Sequence, residues 1–275
     1  PKLSDEEYDE DDRELLAAMA SQAALAWRGV RARGQDAELR EALDIQRSLL
    51  PASLPPTPGY TIAGAWQPAK VVGGDYYDAW LVGPGRCALC IADVSGKGLP
   101  ASLLMANLQA SMRAHAREAA GADAICTAVN RAVSAHIRPG RFITCFFGLL
   151  DLETGTLDYV NAGHNPPLLA RADGAIERLS TGGIGLGMLA GFEYGAKATT
   201  LAPGDRLLLY TDGVTDARDE HGDDFGDQRL AGIVAAARAE PAPRLQQRGI
   251  DAVRAFAGSR FDDDLTVLAV VRDAT

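Results

Sequence analysis

The segment Cys87-Ala88-Leu89-Cys90-Ile91-Ala92-Asp93-Val94-Ser95-Gly96-Lys97-Gly98 combines an apolar run with an acidic residue at its end. Six consecutive apolar residues that end in a Gly-rich turn predict a strand buried on both faces. Asp93 is therefore expected at the edge of a sheet, where its carboxylate is partly removed from water. This stretch predicts a buried sheet that carries charge at one end.

Three further predicted strands have acidic residues beside them. Asp75 comes before one strand, Asp212 ends a second, and Asp263 and Asp264 come just before a third. Any one Asp alone is more often a turn or cap residue. Together with Asp93, however, converging carboxylates would repel one another and be partly desolvated, and a hard divalent cation removes both costs. Oxygen ligands without a matching His or Cys set favour Mg²⁺ or Mn²⁺ over Zn²⁺, so the pattern predicts a site for two such ions.

Apolar runs and turn residues beyond Tyr60 predict an α+β fold. Two dipeptides typical of hairpin turns, Thr154-Gly155 and Asp173-Gly174, join neighbouring runs. Helical segments follow the strands in groups, which favours antiparallel sheets with helices on their outer faces. The predicted strands cover residues 60–68, 76–82, 88–92, 144–151, 156–162, 168–172, 206–210 and 265–271, and the predicted helices cover 99–119, 122–137, 228–239 and 243–257.

Composition excludes several classes of function. The 275 residues carry a formal net charge of −10, which argues against an electrostatic grip on nucleic acid or on an anionic membrane surface. No apolar run approaches the length of a membrane span, the N-terminal residues lack the apolar segment of a secretory signal, and four Cys do not make a disulfide framework. We therefore expect a cytoplasmic protein without nucleic-acid or membrane partners.

The chain is predicted to divide into three parts. Residues 1–12 are acidic and expected to be disordered, residues 13–54 form a helical linker, and residues 55–275 form the main domain. Two apolar stripes in the linker end at a Pro-rich break, which favours a connector that pairs with a second copy of the chain over a surface helix packed on the domain. The linker is thus a predicted dimerisation segment.

Five motifs in one order resemble the SpoIIE-type branch of the metal-dependent (PPM) serine/threonine protein phosphatases. Each motif is weak alone, whereas the ordered set is specific, and the similarity runs from about Ile45 to Arg272. The motifs are Gly73-Gly74-Asp75-Tyr76-Tyr77-Asp78, Ala92-Asp93-Val94-Ser95-Gly96-Lys97-Gly98, Asn161-Ala162-Gly163-His164-Asn165-Pro166-Pro167, Tyr210-Thr211-Asp212-Gly213-Val214-Thr215-Asp216 and Asp263-Asp264-Leu265-Thr266.

The resemblance implies a four-layer α/β/β/α sandwich and a metal-dependent hydrolase. Carried over by motif, Asp75, Asp93, Asp212 and Asp263 would be catalytic and would bind two Mn²⁺ or Mg²⁺ ions, with the main-chain carbonyl of Val94 as a further ligand. Asp263 is preferred to its neighbour because it is the first acid of the family's Asp-x-x-Thr element. The implied reaction is in-line hydrolysis of phosphoserine or phosphothreonine by water, without a phosphoenzyme.

Four other residues receive supporting roles in this interpretation. Asp264 either binds a metal ion or contacts the metal ligands without binding the ion itself. Asp78 is expected to hold the loop of Asp75 in place without contacting the metal. Lys97, where relatives often carry His, could contact the phosphate, although a solvated Lys is the commoner case. His164 is expected to stabilise a turn by hydrogen bonding, and the rarer alternative is a catalytic proton donor.

The resemblance also implies a biological setting. The substrate would be a phosphorylated regulator of the anti-anti-sigma (STAS) type in partner-switching signalling, and the first helix resembles the linkers that follow GAF-type sensor domains, so the natural chain would extend upstream. A second hypothesis is a phosphoprotein-binding or dimerisation module of the same fold with little turnover. The intact set of acidic residues argues against that second hypothesis.

Overall fold

Two β-sheets lie face to face within residues 45–275 of the computed structural model, which describes residues 37–117, 121–180, 182–238, 240–258 and 261–274. The strands are β1 Tyr60–Gln67, β2 Tyr76–Leu81, β3 Arg86–Val94, β4 Ile143–Asp151, β5 Thr156–Ala162, β6 Leu168–Ala170, β7 Ile176–Arg178, β8 Gly182–Gly183, β9 Lys197–Thr200, β10 Arg206–Tyr210 and β11 Leu265–Arg272. The helices are α1 (residues 37–49), α2 Leu99–His115, α3 Ala122–Ser134, α4 Asp212–Thr215, α5 Gly226–Ala236 and α6 Ala242–Ala257.

The strands fall into two sheets with helices on both outer faces. Sheet A has the order β1-β11-β10-β6-β7, and sheet B has the order β2-β3-β4-β5-β8, with β9 also paired to β5. Helices α2 and α3 pack on sheet B, whereas α5 and α6 pack on sheet A. The predicted four-layer α/β/β/α sandwich of the α+β class is therefore confirmed.

The alternation of side chains along β10 explains how sheet A is held between two layers. Leu207 and Leu209 belong to the core shared with sheet B, whereas Leu208 and Tyr210 belong to a second core under α5 and α6. Successive strand residues point to opposite faces, so a continuous apolar run is needed wherever a sheet is covered on both sides. All four side chains are fully buried.

One strand pair departs from the predicted antiparallel arrangement. Strand β8 runs parallel to β5, with Gly182 opposite Asn161. The chain leaves β5 for sheet A, forms β6 and β7 there, and then returns to sheet B, so no hairpin imposes an antiparallel direction on this pair. A Cβ atom at Gly182 would lie only 2.2 Å from the carbonyl oxygen of Asn161, so this pairing requires glycine. The remaining strand pairs in the described ranges are antiparallel.

The C-terminal part of the predicted linker packs with the main domain. The compact unit begins at Ile45, and Leu50 belongs to its core. Residues 37–49 are helical, as predicted for the linker, whereas the predicted disorder of residues 1–12 and the first linker stripe lie outside the described residues. The division at residue 54 stays a prediction. In the described part of the chain, no helix combines the length and the apolar character needed to cross a membrane.

Candidate metal centre

The pairing of β2 with β3 places two of the predicted ligands side by side. Tyr76 lies opposite Ala92, so Asp75, one residue before β2, continues the register towards Asp93. The loop before Asp75 approaches β3 closely: a Cβ atom at Gly74 would lie 2.8 Å from the Val94 carbonyl oxygen and 3.3 Å from Asp93 Oδ1. Glycine is required at this position because a side chain would separate the two segments.

Asp75 joins the two sheets through a buried carboxylate. Its Oδ2 accepts hydrogen bonds from the hydroxyls of Thr211, at 2.7 Å, and Thr266, and both donors lie at the edge of sheet A. Burial raises the pKa of Asp75 well above its usual value, and the charges of Asp93 and Asp264 raise it further, while the two hydroxyls oppose that rise. The carboxylate is thus fixed in orientation by neutral donors that leave its negative charge uncompensated.

The ends of β10 and β11 bring a second group of acids to the same edge. Asp212 begins α4 directly after Thr211, and the Thr211 amide donates to the Thr266 carbonyl at 3.1 Å, which extends the strand pairing up to this point. A Cβ atom at Gly213 would lie 2.1 Å from the Asp264 carbonyl oxygen. The chain therefore crosses very close to the Asp263-Asp264 segment, and Asp212 lies beside it.

Asp263 and Asp264 have different surroundings. Asp264 is 6% exposed, and its two carboxylate oxygens accept hydrogen bonds from the amides of Ala69, at 2.8 Å, and Gly74, at 2.9 Å. The side chain of Asp263 is 43% exposed and faces solvent and Lys97. Asp264 therefore ties the loop before β2 to the start of β11, and Asp263 is the more accessible of the two for an added ligand.

The carboxylates are close enough to influence one another's ionisation. Burial, followed by the charges of Asp212, Asp263 and Asp264, raises the pKa of Asp93 to about 7. The pKa of Asp212 is also raised, first by burial and then by Asp263. Like charges held together in a partly desolvated position are the arrangement that a divalent cation stabilises.

The candidate ligand atoms are all oxygens, which hard cations prefer, but they do not converge on one point. Among the described residues, no group of three acidic, His or Cys side chains has its atoms arranged for coordination. Asp75 is directed towards its two hydroxyl donors, and Asp263 is paired with Lys97 at 2.7 Å. The oxygen-only donors and the raised pKa of Asp93 fit Mg²⁺ or Mn²⁺. Asp75, Asp93, Asp212, Asp263 and the Val94 carbonyl would hold the ions, and these assignments stay predictions.

Lys97 lies on the rim of the acidic cluster. Its Nζ contacts Asp263 Oδ2 at 2.7 Å and donates to the Asp262 carbonyl at 2.5 Å. Partial burial lowers the pKa of Lys97, but the hydrogen bond and charge of Asp263 outweigh it, so the net shift is upward. The predicted contact with phosphate remains untested. The structure adds that this ammonium group can neutralise an acid of the site.

Asp78 lies on the side of β2 that faces helix α2. Its buried Oδ2 accepts hydrogen bonds from the hydroxyl of Tyr76 at 2.7 Å and from Arg113 Nε at 2.8 Å. The expected contact with the loop of Asp75 is replaced by these two partners. Because residues three apart on a strand point to opposite faces, Asp78 joins β2 to α2 and supports Asp75 only through the backbone.

His164 connects the two sheets as a neutral imidazole. Its Nε2 lies 3.1 Å from the Tyr210 carbonyl and must donate, so Nδ1 accepts from the Thr144 hydroxyl at 2.8 Å. Burial lowers the pKa of His164 to about 4, although the bond to Tyr210 opposes that shift. Both ring nitrogens are occupied by structural partners. This geometry favours the predicted hydrogen-bonding role over that of a proton donor.

Gln46 of α1 is a site-supporting residue that the motif analysis missed. The side chain is 2% exposed and forms two hydrogen bonds with one residue: Nε2 donates to the Gly73 carbonyl at 2.8 Å, and the Gly73 amide donates to Oε1 at 3.1 Å. The last turn of α1, from Ile45 onward, is therefore attached to the loop that carries Asp75. A buried Gln in an apolar stripe was the available signal, since such an amide needs partners.

Comparison with known proteins assigns the family. The model of the family described as Stage II sporulation protein E (SpoIIE) matches residues 83–273. The chain belongs to the SpoIIE family. The resemblance to the SpoIIE-type branch of the PPM phosphatases, proposed from five motifs, is therefore confirmed.

Individual relatives of this SpoIIE-family chain are moderately similar and longer. Protein IcfG of Synechocystis is 32% identical over 266 residues, which cover 86% of this chain and 42% of IcfG. Phosphoserine phosphatase RsbU of Bacillus subtilis is 30% identical over 186 residues, which cover 67% of this chain and 55% of RsbU. The chain thus spans about half the length of the curated relatives it matches.

A solved structure of related sequence has the same fold. The crystal structure of the RsbU and RsbW domains of Rv1364c from Mycobacterium tuberculosis superposes with a TM-score of 0.72 and 28% identity. The match covers 82% of this chain and 63% of that chain.

The raised pKa of Asp93 predicts how the metal-free protein responds to pH. A carboxyl group whose pKa is about 7 when folded and about 4 when unfolded binds protons more tightly in the folded state. Its stabilising contribution is present below about pH 4 and is lost as the pH rises through 7. In EDTA, Asp93→Asn should therefore be more stable than the wild type at pH 8, by on the order of 2 kcal/mol, and the advantage should shrink at pH 5.

Calorimetric melting of both proteins at the two pH values measures this difference. Comparing the variant with the wild type at each pH cancels the opposite contribution of His164, which destabilises the folded protein at low pH because burial lowers its pKa to about 4. Asp251→Asn, an exposed change on α6, is the matched control. An advantage for Asp93→Asn of equal size at pH 5 and pH 8 would contradict the prediction.

The contact between Gln46 and Gly73 predicts that α1 affects ion binding. Gln46→Ala leaves the amide and carbonyl of Gly73 without their partners, so we expect a loss of about 1–3 kcal/mol in stability. Because Gly73 lies two residues before Asp75, a several-fold higher Mn²⁺ concentration should be needed to reach half of the full thermal shift. The control is Arg47→Ala, an exposed change on the same helix turn. A lowered melting temperature with an unchanged Mn²⁺ midpoint would limit Gln46 to a role in folding.

Proposed function

We propose that this chain is a Mn²⁺- or Mg²⁺-dependent protein serine/threonine phosphatase. The observation that carries the proposal is the meeting of Asp75 and Asp93 from sheet B with Asp212 and Asp263 from sheet A at one edge of the sandwich. Burial and the charges of Asp212, Asp263 and Asp264 raise the pKa of Asp93 to about 7, which is a cost that a bound cation would remove. Membership of the SpoIIE family supports the same reaction class.

The chain's own residues would bind and orient the reacting groups. Asp75 is fixed by the Thr211 and Thr266 hydroxyls, and the Val94 carbonyl faces the same loop across Gly74. When bound, two divalent ions would supply charge that activates water and withdraws electrons from the phosphoryl oxygens. The carboxylates would keep those charges in place, and the Lys97 ammonium group lies where it can approach an anionic substrate after release from Asp263.

The proposed substrate is a phosphoserine or phosphothreonine on a protein regulator of the STAS type. RsbU of Bacillus subtilis is named a phosphoserine phosphatase, and Rv1364c contains RsbU and RsbW domains together. These similarities support partner-switching signalling as the setting. A cytoplasmic location and a homodimer formed through residues 13–54 belong to the same proposal.

Substitution of the predicted ligands tests the activity. With Mn²⁺, the wild-type chain should hydrolyse p-nitrophenyl phosphate and a phosphoserine peptide, and EDTA should abolish both activities. Asp93→Asn and Asp212→Asn should each reduce kcat/KM by at least about 100-fold, because each removes a carboxylate charge from the ion site. Asp251→Asn, a charge loss on an exposed part of α6, should retain activity.

The same experiment separates the enzyme from the alternative module without turnover. A wild-type chain that gains thermal stability with Mn²⁺ but hydrolyses neither substrate would support the phosphoprotein-binding or dimerisation module. Full activity in Asp93→Asn or Asp212→Asn would refute the assigned ligand set.

A further inference from the structure

A groove of about 440 Å³ lies directly beside the acidic edge. One wall is the first part of α2, and the other is formed by the segment between α3 and β4. The residues that define its character are Ser95, Leu99, Leu103, His136, Arg138 and Arg141. We call this feature the α2 groove.

The α2 groove adjoins the candidate metal centre. Ser95 directly follows Val94, and its carbonyl accepts a hydrogen bond from Arg141 Nη1. The Arg141 guanidinium lies over Gly96, where an added Cβ would overlap it. At the other end, Ala101 of the groove lies 3.5 Å from the Cβ position of Gly74. Ala101 itself is buried, so the groove reaches the metal centre at the surface through Ser95, which directly follows the predicted ligand Val94.

The two walls of the groove differ in chemistry. Leu99 and Leu103 are 45% and 64% exposed, which is unusual for two Leu residues on adjacent turns of one helix and indicates a surface for apolar contact. On the opposite wall, neither Arg138 nor Arg141 forms an ion pair with an acid of the described ranges. In a chain with a net charge of −10, these two guanidinium groups form a local cationic wall that suits an anionic partner.

We propose that the α2 groove binds the polypeptide of the phosphorylated substrate immediately next to its phosphoserine. An apolar side chain of the substrate packs on Leu99 and Leu103, and Arg138 and Arg141 attract the phosphorylated segment towards the acidic edge. The inference rests on the proposed phosphatase function and specifies its substrate class: phosphoproteins with a large apolar residue near the phosphoserine. A groove of about 440 Å³ has the size of a pocket for one or two side chains, which suits a short peptide segment.

A scan with synthetic peptides tests the groove. The peptides have nine residues of Gly and Ser with a central phosphoserine, and each member of the series carries one Leu at a different position. For each peptide, kcat/KM is measured with Mn²⁺ by phosphate release. Leu at one position should raise kcat/KM about tenfold over the peptide without Leu, as expected for burial of one Leu side chain. In Leu103→Asp this gain should vanish, while hydrolysis of p-nitrophenyl phosphate stays as in the wild type.

Matched variants make the result specific. Leu81→Asp changes another exposed Leu, 47% accessible, at the end of β2 far along the strand from Asp75, and it should retain the gain from the peptide Leu. Arg138→Glu is a second variant on the opposite wall and should raise KM for every phosphopeptide with little effect on p-nitrophenyl phosphate.

Each outcome assigns the groove differently. The groove proposal would be overturned if no Leu position raised kcat/KM, or if the gain in kcat/KM persisted in Leu103→Asp. Hydrolysis of p-nitrophenyl phosphate would still support the phosphatase function in either case. A dimer in light scattering that Leu103→Asp converts to a monomer, with peptide turnover unchanged, would assign the groove to a second copy of the chain and also overturn the proposal. If the wild-type protein hydrolysed neither p-nitrophenyl phosphate nor any peptide, the phosphatase function itself would be refuted. Fluorescence anisotropy of the Leu peptides would then still show whether the groove binds one of them preferentially.

Discussion

The central constraint on this structure is that several carboxylates lie close together at one edge of the two-sheet sandwich. Burial and mutual repulsion raise the pKa values of Asp75, Asp93 and Asp212, so their charges oppose folding in the absence of cations. Neutral donors hold Asp75 in place, because the hydroxyls of Thr211 and Thr266 donate to its carboxylate. Neutral donors fix the position of a carboxylate without cancelling its charge, so the capacity to attract a cation is kept.

This constraint explains the glycines around the site. A Cβ atom at Gly73 would lie 1.8 Å from Asp264 Oδ2, and one at Gly213 would lie 2.1 Å from the Asp264 carbonyl oxygen. The loop of Gly73 therefore lies against the Asp264 side chain, which accepts hydrogen bonds from the amides of Ala69 and Gly74, and the loop of Gly213 lies against the Asp264 backbone. The close approach that brings the charges together also makes their separation costly, because both glycine loops pack against the Asp263-Asp264 segment.

The fold and the ligand-bearing loops could be predicted from the sequence because both leave local signals. Buried strands such as β3 and β10 are continuous apolar runs, and each acid follows or precedes such a run. Strands β7, β8 and β9 and helix α4 were missed because they span two to four residues, which is too short for a periodicity, and the parallel pairing of β8 depends on a chain reversal through the other sheet. The role of Thr211 could not be predicted from the neighbouring sequence, because its hydrogen-bond partner Asp75 lies 136 residues away.

The loop from Gly73 to Asp75 is the place where regulation and substrate binding can meet. Gln46 of α1 binds Gly73, and the buried side chain of Ala101, which also lines the α2 groove, lies near Gly74. Both contacts bear on the backbone that positions one carboxylate. If the contact of α1 changes the affinity of this loop for cations, thermodynamic linkage requires that cations change the stability of that contact by the same factor. A two-residue glycine segment suits this role because it has no side chains of its own to resist displacement, and its position is set by the neighbours that hold it.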